Sequence, residues 1–153
     1  MSKKNRRAQR WLADMTQHEA LARVYLQTTY RVITAAKPVD IRIGVLNPAL
    51  ADLLQSRGAR TWAFLTASNP RSQQLTDDDN ALRNDKLMQS LREEGWSCLD
   101  AVGVPDNSDW TPEQSVLILG IGRHAALALA RRWQQNAIVY GEHGVVPELV
   151  WAD

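Results

Sequence analysis

The sequence predicts an α+β fold built on a ferredoxin-like split βαβ core, strand-helix-strand-strand-helix-strand, with an N-terminal helix and strand extension. Three observations carry this. Apolar, β-prone runs stand at Thr61–Ala67, Trp96–Val102, Ser115–Gly120 and Ala137–Gly141. Helical patterns separate the first run from the second and the third from the fourth. Between the second and third lies only a polar loop from Pro105 to Pro112, as a hairpin requires. With right-handed crossovers, the strands of Trp62 and Val116 are expected to be parallel central neighbours whose C-terminal ends share one sheet edge.

The elements follow in order. Leu21, Val24, Tyr25 and Thr28 recur at helical spacing, predicting a helix over 17–30. Tyr30–Ala35 and Asp40–Val45 read as strands around Lys37-Pro38. Asn47-Pro48 opens a second helix, with Asn47 as cap and Pro48 where its missing donor costs least, and Gly58 ends it. Asn69-Pro70 stops the strand begun at Thr61. The next helix is capped by Thr76, carries Asp77, Asp78 and Asp79 against the positive end of its dipole, and stops at Gly95. A last helix covers about Arg123 to Gln135, with Gln134 and Asn136 terminating it, and Leu149-Val150-Trp151 is a short edge piece.

Composition narrows the class of protein. With 153 residues and 44% hydrophobic content, the chain is long enough for one domain with a sizeable core. The expected organisation is a basic flexible tail over residues 1–12 and a single α+β domain over 13–153. No apolar run approaches the roughly 20 residues that a membrane helix needs. The basic start is not followed by an apolar signal region, and a cytoplasmic location is expected. Cys98 is the only cysteine, so there is no internal disulfide or cysteine-rich zinc site. Its apolar strand neighbours mark it as a core residue. His18, His124 and His143 are scattered, and no metal site is predicted.

The candidate site is the strand-to-helix passage Ser68-Asn69-Pro70-Arg71-Ser72 and the helix after it. Asn80, Arg83, Leu87 and Leu91 are spaced by three, four and four residues, so two polar residues continue a core stripe toward the helix start. Amides that donate and accept, beside a guanidinium, suit a carboxylate or phosphate. Gly120-Ile121-Gly122-Arg123 sits between strand and helix as a phosphate cradle would, but lacks the third glycine of a dinucleotide fingerprint and the lysine of a P-loop. The ligand-binding set read from the sequence is Asn69, Ser72, Asn80, Arg83, Gly120, Gly122 and Arg123. The competing reading is structural: Asn69 and Asn80 satisfy backbone groups, Arg83 pairs with Asp79 or Glu113, and the glycines make a tight turn.

The run Thr66-Ala67-Ser68-Asn69-Pro70-Arg71-Ser72, with Asn80 and Arg83, resembles the bacterial family catalogued as domain of unknown function 3293. Glu113–Ile121, Ala126–Ala130 and Gln134–Glu142 resemble it too, so the likeness covers most of the chain after the basic tail. Members often carry an aromatic residue where this chain has Ser68. The resemblance implies location and order of elements; it supplies no activity, substrate or cofactor.

The leading expectation from the residues is binding of a small anionic ligand, nucleotide-like molecules included. An enzyme of transfer or hydrolysis type would use the same pocket, with Arg83 stabilising negative charge and Glu113 or Glu142 as base. An RNA- or ribosome-associated protein would use Lys3, Lys4, Arg6, Arg7 and Arg10 in a weak, salt-sensitive contact.

Overall fold

The computed structural model describes Arg6 and residues 17–153. Apart from Arg6, the basic tail lies outside the described residues. Residues 17–26 are helical (α1). There follow β1 (Thr28–Val32), β2 (Val39–Ile41), α2 (Pro48–Ser56), β3 (Thr61–Leu65), α3 (Asp77–Glu93), β4 (Ser97–Pro105), β5 (Glu113–Leu119), α4 (Arg123–Arg132), β6 (Ala137–Glu142) and β7 (Glu148–Trp151). The first helix is shorter than its spacing predicts, because Thr28 already belongs to β1. Its hydroxyl donates to the Val24 carbonyl at 2.7 Å, satisfying an acceptor at the helix end as the chain turns into the strand.

Local chemistry accounts for the other boundaries. Asn47 Oδ1 accepts from the Leu50 N–H at 3.0 Å to open α2, and Thr76 Oγ1 accepts from the Asp79 N–H at 3.2 Å to open α3. The seven strands form one antiparallel sheet in the order β2-β1-β4-β5-β3-β6-β7. It curls enough that the Gly44 N–H, in the turn after β2, donates to the Pro147 carbonyl just before β7 at 2.8 Å.

Both faces of the central strands are buried, which is why Val116–Leu119 reads as an unbroken apolar run rather than an alternation. On one face Leu65, Val116 and Ile118 pack with Leu87 and Leu91 of α3 and Leu129 of α4. On the other, Trp62, Phe64, Leu117 and Leu119 pack with Leu50 and Leu54 of α2. No described helix is long and apolar enough to cross a membrane.

One expectation is overturned. The strands of Trp62 and Val116 are central neighbours but antiparallel, with Trp62 opposite Leu119 and Leu65 opposite Val116. The helix α3 carries the chain from β3 to β4, which runs in the same direction but is not adjacent. The strand β5 fills the gap between them. Because it enters by a hairpin from β4, it must oppose both. The C-terminal end of β3 therefore meets the start of β5, and the C-terminal end of β5 lies beside the start of β3.

Candidate functional site

The chain leaves β3 through a loop whose backbone is costly to hold. Asn69, Arg71 and Ser72 have φ of 48°, 53° and 61°, and Gln134, after α4, has φ of 58°. These are the only non-glycine residues with positive φ among the described residues, and all four meet at one junction. The Arg71 N–H donates to the Gln134 carbonyl at 2.7 Å, and Asn136 Nδ2 donates to Ser72 Oγ at 2.7 Å. Asparagine tolerates the left-handed region, but for arginine and serine it costs on the order of 1–3 kcal/mol each. Gln134 has a local reason: the Gln135 N–H reaches the Ala130 carbonyl and the Gln134 N–H that of Arg131, which closes α4 at a position usually taken by glycine.

Side chains of α3 and of the segment after α4 over-determine this conformation. Asn69 and Asn80 are reciprocally bonded: the Asn69 N–H donates to Asn80 Oδ1, and Asn80 Nδ2 donates to Asn69 Oδ1, each at 2.8 Å. Asn69 Oδ1 also accepts from the Leu75 N–H at 3.0 Å, and its Nδ2 donates to Glu113 Oε1 at 2.9 Å. Asn84 is buried behind the loop, accepting from the Ala67 N–H and donating to Ser68 Oγ, both at 2.9 Å. Buried Gln135 donates to the Ser68 carbonyl at 3.1 Å. Such a network is stable only when its members are satisfied together.

Arg83 belongs to this support. Its Nε donates to the Ala67 carbonyl at 2.7 Å and its Nη2 to the Trp133 carbonyl at 2.9 Å. It thus ties the loop to the end of α4, and neither of the carboxylate partners expected for it, Asp79 and Glu113, is its acceptor. Asn69 and Asn80 stand together as the helical stripe predicts, while Ser72 faces Asn136 on the far side of the loop.

Gly120, Gly122 and Arg123 do not join them. The antiparallel pairing of β3 and β5 places them at the opposite end of the sheet, where the Gly120 N–H donates to the Thr61 carbonyl at 2.8 Å. A five-residue strand separates the two ends by about 13 Å. There Gly120 takes a φ of 76° in a tight turn, and Gly122 is the N-cap of α4. Arg123 pairs with Glu148 and lies 5.3 Å from the centre of the Tyr140 ring. Glu142 is also at that end, opposite Thr61, so it cannot share a pocket with Glu113.

Two hollows flank the strained loop. One, of about 240 Å³, is lined by Gln17, His18, Leu21, Arg71, Asn136 and Asp153. Arg71 makes no ion pair within it among the described residues, whereas Asp153 accepts from His18 Nε2 at 3.0 Å. The His18 ring lies flat on Trp151, with centres 4.2 Å apart. The other hollow, of about 100 Å³, holds Asn69, Asn80 and Glu113. Burial holds the Glu113 carboxyl above its usual range, opposed in part by the bond from Asn69. Cys98 is also pushed up, to about 11, by burial, which keeps it a thiol at neutral pH.

Sequence reasoning missed Asn84, Gln135 and Arg71 as site residues. Asn84 was within reach, because Asn80, Asn84, Leu87 and Leu91 share one helical stripe. The left-handed backbone at Arg71 has no signature in residue type.

The molecule is thus an α+β protein with a seven-stranded antiparallel sheet and a braced, strained loop at the end of a central strand. Residues 65–138, the segment that contains this loop and its supports, match the model of the family described as Protein of unknown function (DUF3293), so this part of the chain is similar to that family. Nothing among curated proteins or solved structures matches the chain.

Proposed function

We propose that the protein binds a small anionic ligand, with Arg71 as the cation that receives it and the hollow between α1 and the strained loop as its seat. The observation that carries this reading is the meeting of Asn69, Arg71, Ser72 and Gln134, all left-handed, at one junction. A loop needed only as a connection would place glycine at such positions at lower cost. Retaining arginine and serine there gives their side chains a fixed direction, which is what recognition requires. Arg83, committed to two carbonyls, is the residue that positions the loop.

The hollow is below the roughly 300–1,000 Å³ of drug-sized pockets, so it suits a carboxylate or phosphate head and not a whole nucleotide. Asn136 and Gln17 add amide donors near Arg71, and Asp153 sets a limit on how much negative charge the hollow accepts. The strand order β4-β5-β3-β6 supports reading the core as a ferredoxin-like split βαβ unit, within one domain spanning 13–153.

The test is a thermal-shift and calorimetric titration of the full chain with phosphate, citrate and adenosine monophosphate. At about 100 times its dissociation constant, a ligand stabilises by roughly 2.7 kcal/mol. The parent is expected to show such a shift with at least one of these anions and Arg71→Gln to show none. A shift of equal size in Arg71→Gln defeats the assignment.

A further inference from the structure

The smaller hollow, on the other side of the loop, has the opposite chemistry. Its walls include Asn69, Leu75, Asn80 and Ala81, and Glu113 projects from the start of β5. Asn69 and Asn80 use their amide oxygens on each other and on the Leu75 N–H. Glu113 Oε1 takes the bond from Asn69, but among the described residues nothing donates to Oε2. Among the described residues no lysine, arginine or histidine lines the cleft, and Asp77 adds a second carboxylate at the exposed start of α3. A half-buried carboxylate with one unfilled oxygen favours a charged donor over water or an anion.

We infer that this cleft receives a small cationic head that carries N–H donors, an ammonium or guanidinium group, with Glu113 Oε2 as its principal acceptor. It is a site distinct from the Arg71 hollow and shares no lining residue with it. Its size, about 100 Å³, admits a head group and little more. The preset amide frame of Asn69 and Asn80 holds the carboxylate in place before the ligand arrives. A bound cation would also reverse the effect of burial on Glu113, so binding is expected to release a proton at pH values near that group's titration.

The experiment is an NMR titration of the ¹⁵N-labelled full chain with methylguanidinium and methylammonium, using tetramethylammonium, which has no N–H, at matched ionic strength. Saturating shifts are expected at the Leu75 backbone amide and the Asn69 and Asn80 side-chain amides with at least one of the first two ions and not with the third. Affinity should fall at least tenfold in Glu113→Gln. It should fall as far in Ala81→Leu, which fills the cleft from α3 while leaving the carboxyl intact, and stay unchanged in Arg71→Gln. A capped Gly-Arg-Gly peptide separates two sources of the same head group. Tenfold tighter binding than methylguanidinium assigns an arginine side chain of a protein partner, and equal binding assigns a free small cation. Non-saturating shifts with every probe, saturation by tetramethylammonium, or parent-like affinity in both Glu113→Gln and Ala81→Leu overturns the inference.

Discussion

The backbone N–H of Arg71 donates to the carbonyl of Gln134 at 2.7 Å, and both residues are left-handed. Two strained segments, one after β3 and one after α4, are therefore stitched together beside the hollow that Arg71 and Asn136 help to line.

Replacing the residues at that stitch separates strain from recognition. Gln134→Gly and Arg71→Gly should each leave stability equal to the parent or raise it by up to about 1 kcal/mol, since glycine meets no Cβ penalty there. Chemical denaturation measures this. A loss above about 2 kcal/mol in Arg71→Gly would show that its side chain supports the fold.

Arg83→Met keeps most of the apolar stem but leaves the Ala67 and Trp133 carbonyls without their charged donor. The expected cost is about 2–3 kcal/mol. Denaturant unfolding should report it directly, and unchanged stability would mean that the loop stands without this tie.

The burial of Glu113 has a definite sign in pH. Its folded pKa lies above the ordinary glutamate value, so the stability contributed by its protonated form is fully present below that value and lost as pH rises through the shifted one. Glu113→Gln should remove this fall and be more stable than the parent at neutral pH. Melting temperatures of both proteins across that window decide it; a parent that gains stability relative to Glu113→Gln with rising pH contradicts the assignment.

Gly141 on β6 lies against the fully buried indole of Trp62, and a Cβ added there would come within 2.6 Å of the ring. The substitution Gly141→Ala should cost about 2–3 kcal/mol, because neither the strand nor the ring has room to yield. Full stability in that variant would require Trp62 to repack, which its near-ultraviolet dichroism would reveal.

Much of the architecture was legible in residue patterns. Asn47-Pro48 and Thr76 marked helix starts because capping is chemistry within one turn, and Gly95 marked a stop for the same reason. The stripe through Asn80, Leu87 and Leu91 placed the amide beside the loop because helical periodicity is a local property. Strand direction was not local. Whether β5 runs with or against β3 depends on which gap it enters, and that was decided by the hairpin from β4 and the crossover through α3 acting together. The same choice moved Gly120, Gly122 and Arg123 to the other end of the sheet and left Arg83 bonding carbonyls that lie 16 and 50 residues away. The sequence by itself determined the order of the elements from α2 onward, the caps Asn47 and Thr76 and the polar loop after β3, since each follows from interactions within a few residues. Only the tertiary structure decided which of those polar groups brace the loop and which, such as Arg71 and Glu113 Oε2, have no ion-pair or donor partner among the described residues, because the partners that satisfy a buried donor or acceptor come from segments distant in the chain.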